Sequence, residues 1–79
     1  MDYLELTKKI LSANLHVDAD ELQASTLIMG EMPQFNSMSM TGIINAIETE
    51  LGCVVEDDEI SAEIFQDVSS LMNFLESKA

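Results

Sequence analysis

The stretch from Ser37 to Gly52 constrains the fold more than any other part of the chain. At 100° per residue, Met40, Ile43, Ile44, Ile47 and Leu51 fall on one stripe, and Gly52 stands where such a helix ends. A helix with one apolar face must bury that face, so further elements have to exist to cover it. In a chain of 79 residues they come from the same small domain, near the size at which a single core barely suffices. One domain over 1–79 is therefore expected. The hydrophobic content of 47% is enough to fill a core and argues against a disordered acidic tail.

The covering elements are legible to different degrees. Leu4, Thr7, Leu11 and Leu15, with Ile10 beside them, predict a helix from about Asp2 to Leu15, with Lys8 and Lys9 on its other side. His16 at its end is expected to interact with the C-terminal carbonyls. From His16 to Asn36 the periodicity fades, and Gly30 and Pro33 interrupt it. This reads as a long connection with a short helical turn, pinned to the core by Leu22, Leu27, Ile28 and Met29. A short helix is predicted around Ile60 to Phe65, and Asp67 is placed to cap a last helix carrying Val68, Leu71, Met72, Phe74 and Leu75. Cys53 to Val55 has no evident strand partner. The expected fold is all-α, a four-helix bundle with a long loop between helices one and two and a short third helix.

Charge bounds the partners. Fifteen acidic residues face only Lys8, Lys9 and Lys78, a formal charge of -12 at pH 7. Such a chain repels phosphate backbones and anionic lipid, so nucleic acid and membrane are excluded as expected partners and basic protein patches are favoured. The acidity also serves solubility, with or without partners. Cys53 is the only cysteine and lies beside Val54 and Val55, where it reads as small core filler. No charged-then-apolar leader opens the sequence and no apolar run reaches membrane-spanning length, so a cytoplasmic protein is expected.

Ser37 is the residue with chemical potential. It sits at the first turn of the clearest helix, where unpaired backbone N–H groups and the positive end of the helix dipole point outward. A serine in that position is ordinarily an N-cap, but Asn36 can cap equally well and so free the hydroxyl. On the same wheel Met38 points away from the buried stripe with Thr41, Asn45 and Thr49, leaving a large apolar side chain in solvent beside the serine. A phosphorylated or phosphodiester-linked serine would find its charge favoured there.

These residues carry a resemblance. N-S-M at 36–38, A-I-E-T-E-L-G at 46–52, the acidic V-V-E-D-D-E-I at 54–60 and the closing D-V-S-S-L-M-N-F-L at 67–75 are similar to an acyl carrier protein over nearly the whole chain. The resemblance implies that Ser37 carries a 4′-phosphopantetheine arm, installed by a phosphopantetheinyl transferase using coenzyme A and magnesium. It implies a monomeric carrier, not an enzyme, that holds acyl groups as thioesters and presents them to acyl-activating or acyl-transferring enzymes with basic docking patches. Asn36, Met38, Thr41, Asn45 and Glu48 are the partner-docking candidates on that reading. Asn36 stands where the family has aspartate, and Ser39 and Gly42 stand where fatty-acid-synthesis members are often acidic. Those departures imply a specialised fatty-acid, lipid or polyketide-type role. Met29, Met32, Met40 and Met72, with Ile43, Ile44, Ile47 and Phe65, are candidates to line a cavity for the acyl chain.

Other chemistries fit less well. A calcium loop beginning at Asp18 and Asp20 has Gln23 where glycine is required and no glutamate at position twelve. Glu56, Asp57, Asp58 and Glu59 are adjacent and cannot all converge on one ion, so they read as a solvated acidic loop and no metal site is expected. His16 is the only possible base for Ser37, with no third member to orient it. An aminoacyl or peptidyl carrier of the same fold and an unmodified acidic adaptor remain as alternatives.

Overall fold

A computed structural model describes residues 2–79. Among them are three α-helices, α1 (Tyr3–Leu15), α2 (Ser37–Leu51) and α3 (Val68–Lys78), and three 3₁₀ turns, Ala19–Glu21, Asp57–Glu59 and Ala62–Phe65. The expected short third helix around Ile60 to Phe65 is thus a correction: a 3₁₀ turn of four residues replaces it. Ile60 and Ser61 are extended and separate it from the preceding turn, which leaves too few residues to close successive α-helical bonds.

Each α-helix begins on a side chain that can accept from its first-turn amides. The Asp2 carboxylate accepts from the Glu5 N–H, the Asn36 amide oxygen from the Ser39 N–H, and the Asp67 carboxylate from the Ser70 N–H. Two of the helices stop in the left-handed region, α2 at Gly52 (φ 63°) and α1 at His16 (φ 58°). His16 meets a C-terminal carbonyl of α1 as expected, through its backbone N–H, which donates to the Ser12 carbonyl at 3.0 Å, while its side chain is exposed.

The three helices meet on a core of Ile10, Leu11 and Leu15 from α1, Ile43, Ile44 and Ile47 from α2, and Val68, Leu71 and Leu75 from α3. Phe65 completes it, wholly buried, and Phe35 tilts against it with ring centroids 5.2 Å apart. That contact fixes the chain just ahead of α2, so the helix start that bears Ser37 is anchored on its N-terminal side. Thr7, the one buried polar residue among those described, donates its hydroxyl to the Tyr3 carbonyl at 2.6 Å and is thereby satisfied.

The long connection is stitched to the entrance of α3 by backbone hydrogen bonds. Ile28 and Met29 donate to the Gln66 and Phe65 carbonyls, and Val68 and Ser69 donate back to Thr26 and Ala24. Leu27 and Asp67 form an isolated antiparallel bridge there. Extended backbone alternates its side chains, so Ile28 is buried while Leu27 and Met29 turn outward, 46% and 42% exposed. Leu22 and Ile28 therefore pin the loop, and Leu27 and Met29 do not. Cys53 is half-buried at the edge of the core, with Val54 exposed and Val55 buried beside it.

Candidate functional site

The start of α2 is built by a capping box that excludes Ser37. The Asn36 side chain accepts from the Ser39 N–H at 3.0 Å, and the Ser39 hydroxyl accepts from the Asn36 N–H at 2.8 Å. Ser37 is the first residue inside the helix, exposed, and its hydroxyl takes part in no hydrogen bond among the described residues. The N–H groups of Ser37 and Met38 likewise have no protein acceptor, as expected for a first turn. A free hydroxyl at the positive end of a 15-residue helix, flanked by two open N–H donors, suits a phosphodiester on the serine oxygen. The sequence reading that Asn36 caps and Ser37 is left free corresponds to this geometry.

The two departures at Ser39 and Gly42 have structural duties. Ser39 is the second half of the capping box. Gly42 is half-buried where α2 crosses α1, and a Cβ there would collide with Oδ1 of Asn14. Gly42 has no room for an acid; at position 39 a serine hydroxyl fills the role that a carboxylate fills in the Glu56–Glu59 box, so the first turn of α2 has no acid.

Met38 is 86% exposed, and Thr41, Asn45 and Thr49 are exposed along the same line of α2. The Thr41 and Thr49 hydroxyls donate to the Ser37 and Asn45 carbonyls, both at 2.9 Å, which leaves the Asn45 amide as the free polar group of this face. Glu48 differs from the other docking candidates. Its carboxylate is half-buried and accepts from the Val55 N–H at 2.9 Å, so it holds the segment after α2 in place. That partner lies seven residues downstream in irregular backbone, beyond the reach of a helical-wheel argument.

Between α2 and this segment lies a cavity of about 240 Å³ lined by Met40, Thr41, Ile44, Asn45, Glu48, Val55, Asp57 and Ile60. Of the residues proposed from sequence to surround a cavity, Met40 and Ile44 do so. Ile43, Ile47 and Phe65 are instead consumed by the central core, and Met29 faces outward because of the strand-like alternation at Leu27 to Met29.

The acidic loop is ordered by Glu59, which the sequence did not single out. Its carboxylate accepts from the Glu56 N–H at 2.8 Å and from Lys78 Nζ at 2.8 and 3.0 Å. The Lys78 ammonium, aided by the Glu56 N–H, holds the Glu59 carboxyl below the usual carboxylate range. Glu59 in turn raises Lys78 above the usual lysine range. Asp67 is lowered by its bond from the Ser70 N–H. Among the described residues no group of three His, Cys, Asp or Glu side chains is arranged to hold a metal ion, and no helix is long and apolar enough to cross a membrane.

Neither a family model nor a curated protein matches the chain. A solved structure does: the solution NMR structure of a holo acyl carrier protein from Nitrosomonas europaea superposes with a TM-score of 0.86. The match has 35% sequence identity and covers 98% of this chain and 95% of that one.

Proposed function

This chain belongs to the acyl carrier protein family, and from that membership we propose that Ser37 is the attachment point of a 4′-phosphopantetheine arm. The protein is a carrier and not an enzyme. The observation that supports the attachment most directly is the exposed Ser37 hydroxyl, left without structural duty by the Asn36–Ser39 capping box.

Attachment is a phosphoryl-group transfer made by a partner transferase. The Ser37 oxygen forms a new bond to the β-phosphorus of coenzyme A and gives up its proton, while the bond to 3′,5′-ADP breaks. This chain supplies the nucleophile, presents it at a rigid helix start, and offers the Ser37 and Met38 N–H groups to the phosphodiester oxygens. When bound, the arm supplies a terminal thiol that holds an acyl group as a thioester.

The 79 residues act as one cytoplasmic, monomeric carrier domain. Its cargo is an acyl chain of a fatty-acid, lipid or polyketide-type pathway, supported by the apolar side of the cavity, Met40, Ile44, Val55 and Ile60, which suits an alkyl chain, with Thr41, Asn45, Glu48 and Asp57 forming its polar side. Docking divides between two regions. Met38 with Asn36, Thr41 and Asn45 offers an uncharged face next to the attachment point. Basic patches on partner enzymes meet the acids of 56–59 beyond the far end of α2, with Glu48 supporting that loop.

The test is intact mass after incubation with coenzyme A, magnesium and a broad-specificity phosphopantetheinyl transferase. Wild type should gain one phosphopantetheine and Ser37→Ala none. No gain in the wild type, with an active control carrier alongside, refutes the attachment.

A further inference from the structure

The 53–60 segment is one wall of the cavity beside α2, and it is held to the rest of the protein in only a few places. At its start Val55 is buried, and its N–H donates to the Glu48 carboxylate. At its far end the backbone of Asp57–Glu59 makes no close approach to any other helix or turn. At this end Ile60 packs against the core, and the turn itself is joined to the bundle by a side-chain pair, Glu59 with Lys78 of the last turn of α3, 19 residues away and bonded through both carboxylate oxygens. Val55, Asp57 and Ile60, the three cavity-lining residues of the segment, lie between or beside these two attachments.

We propose that the Glu59–Lys78 pair is a latch on this wall, and that its opening admits and releases the acyl chain between the wall and α2. The inference rests on the carrier reading of Ser37 and adds a control point to it. Three features make the pair suited to the task. It is anchored on α3, an element that contributes nothing else to the cavity, so the wall can swing while α2 and Ser37 stay fixed. Glu59 also closes its own turn through the Glu56 N–H, so Asp57–Glu59 moves as a unit when Lys78 lets go. The two side chains retain 19% and 32% exposure. A pair that wet shifts an equilibrium by a factor of about 2 to 5, enough to favour the closed wall and too little to seal it. The cavity of about 240 Å³ has room for a chain of roughly eight carbons if each takes about the volume of a liquid water molecule.

Lys8 and Lys9 cannot substitute for Lys78. They lie on α1 and pair with Glu5 and Glu50. The chain has no other lysine or arginine.

The test has two arms on the full chain. In the unloaded protein, NMR hydrogen exchange is read at Glu59 and Ile60, whose N–H groups bond the Glu56 and Asp57 carbonyls. Lys78→Gln and Glu59→Gln should each speed exchange there about 2- to 5-fold. The double variant should be no faster than either single, and the Ile43 and Ile47 amides should be unchanged. Concentrated sodium chloride, at about 1 M, should move the wild type toward the variants.

In the loaded protein, octanoyl and acetyl thioesters are cleaved with hydroxylamine. The variants should lose the octanoyl group about 2- to 5-fold faster than wild type and the acetyl group at the same rate, since a two-carbon group has almost no alkyl chain for the cavity to hold. Unchanged exchange at Glu59 and Ile60 overturns the latch and leaves Ser37 attachment standing. Faster exchange with unchanged octanoyl cleavage overturns its role as a gate. Failure of Ser37 to take the arm at all overturns the carrier reading and the gate together, while the exchange arm still reports the pair.

Discussion

Gly42→Ala should destabilise the protein, although alanine is the better helix former. Gly42 lies inside α2, where replacing glycine by alanine ordinarily gains about 1 kcal/mol. Here the new Cβ would collide with Oδ1 of Asn14 and crowd Cγ of the same side chain. Asn14 is not free to swing aside, because its Nδ2 donates to the Ile10 carbonyl at 2.8 Å. Breaking that bond costs about 1 kcal/mol, and crowding a packed helix crossing costs about 1 to 3 kcal/mol. The net expectation is a loss of about 1 to 3 kcal/mol, a fall in Tm of roughly 4 to 24 °C for a domain of this size. In an Asn14→Ala background the obstacle is gone, and the same Gly42→Ala change should stabilise by about 1 kcal/mol. Thermal unfolding followed by circular dichroism on the four proteins of this cycle measures both values. If Gly42→Ala raises Tm equally in both backgrounds, Asn14 is not what keeps position 42 small.

Met38→Ala should leave Tm within about 2 °C of wild type, since the side chain is 86% exposed, and should weaken turnover by partner enzymes; a large Tm loss would mean that the residue packs inside. His16→Gly should raise stability by about 0.5 kcal/mol, because glycine occupies the left-handed cap at φ 58° without the Cβ penalty. A lower Tm would show that the His16 ring makes a contact worth more than that relief. The Asp67 carboxyl is lowered in the folded state, so the stability it provides is present above its ordinary pKa of 3.8 and is lost as pH falls through the depressed value. The Tm gap between wild type and Asp67→Ala should therefore be full at pH 7 and narrow on acidification below about 4; a constant gap would refute the charged cap.

The sequence was most informative where structure is local. Asp2, Asn36 and Asp67 are capping residue types, and the helices they open follow from apolar spacing that any helical wheel reveals. Ser37 was readable for the same reason, because Asn36 offers an alternative cap one residue earlier. What escaped depends on partners distant in sequence. Leu27 and Met29 looked like core until backbone bonds to Phe65 and Gln66 imposed strand-like alternation. Glu48 looked like a surface acid until the Val55 amide was found against it. Gly42 looked like a missing charge, whereas Asn14 on another helix explains it. Lys78 and Glu59 gave no signal beyond opposite charge, and in a chain with fifteen acids that selects no particular partner.

The Asn36–Ser39 capping box has a consequence for how such a protein is managed in a cell. Because the fold asks nothing of the Ser37 hydroxyl, under the attachment proposed above newly made chains can reach their final shape before any arm is added, and losing the arm need not unmake them. Blank copies can wait as a folded reserve, and the ratio of charged to blank copies can be adjusted by enzymes without touching the supply of protein. A helix capped by its own first serine would have tied those two quantities together.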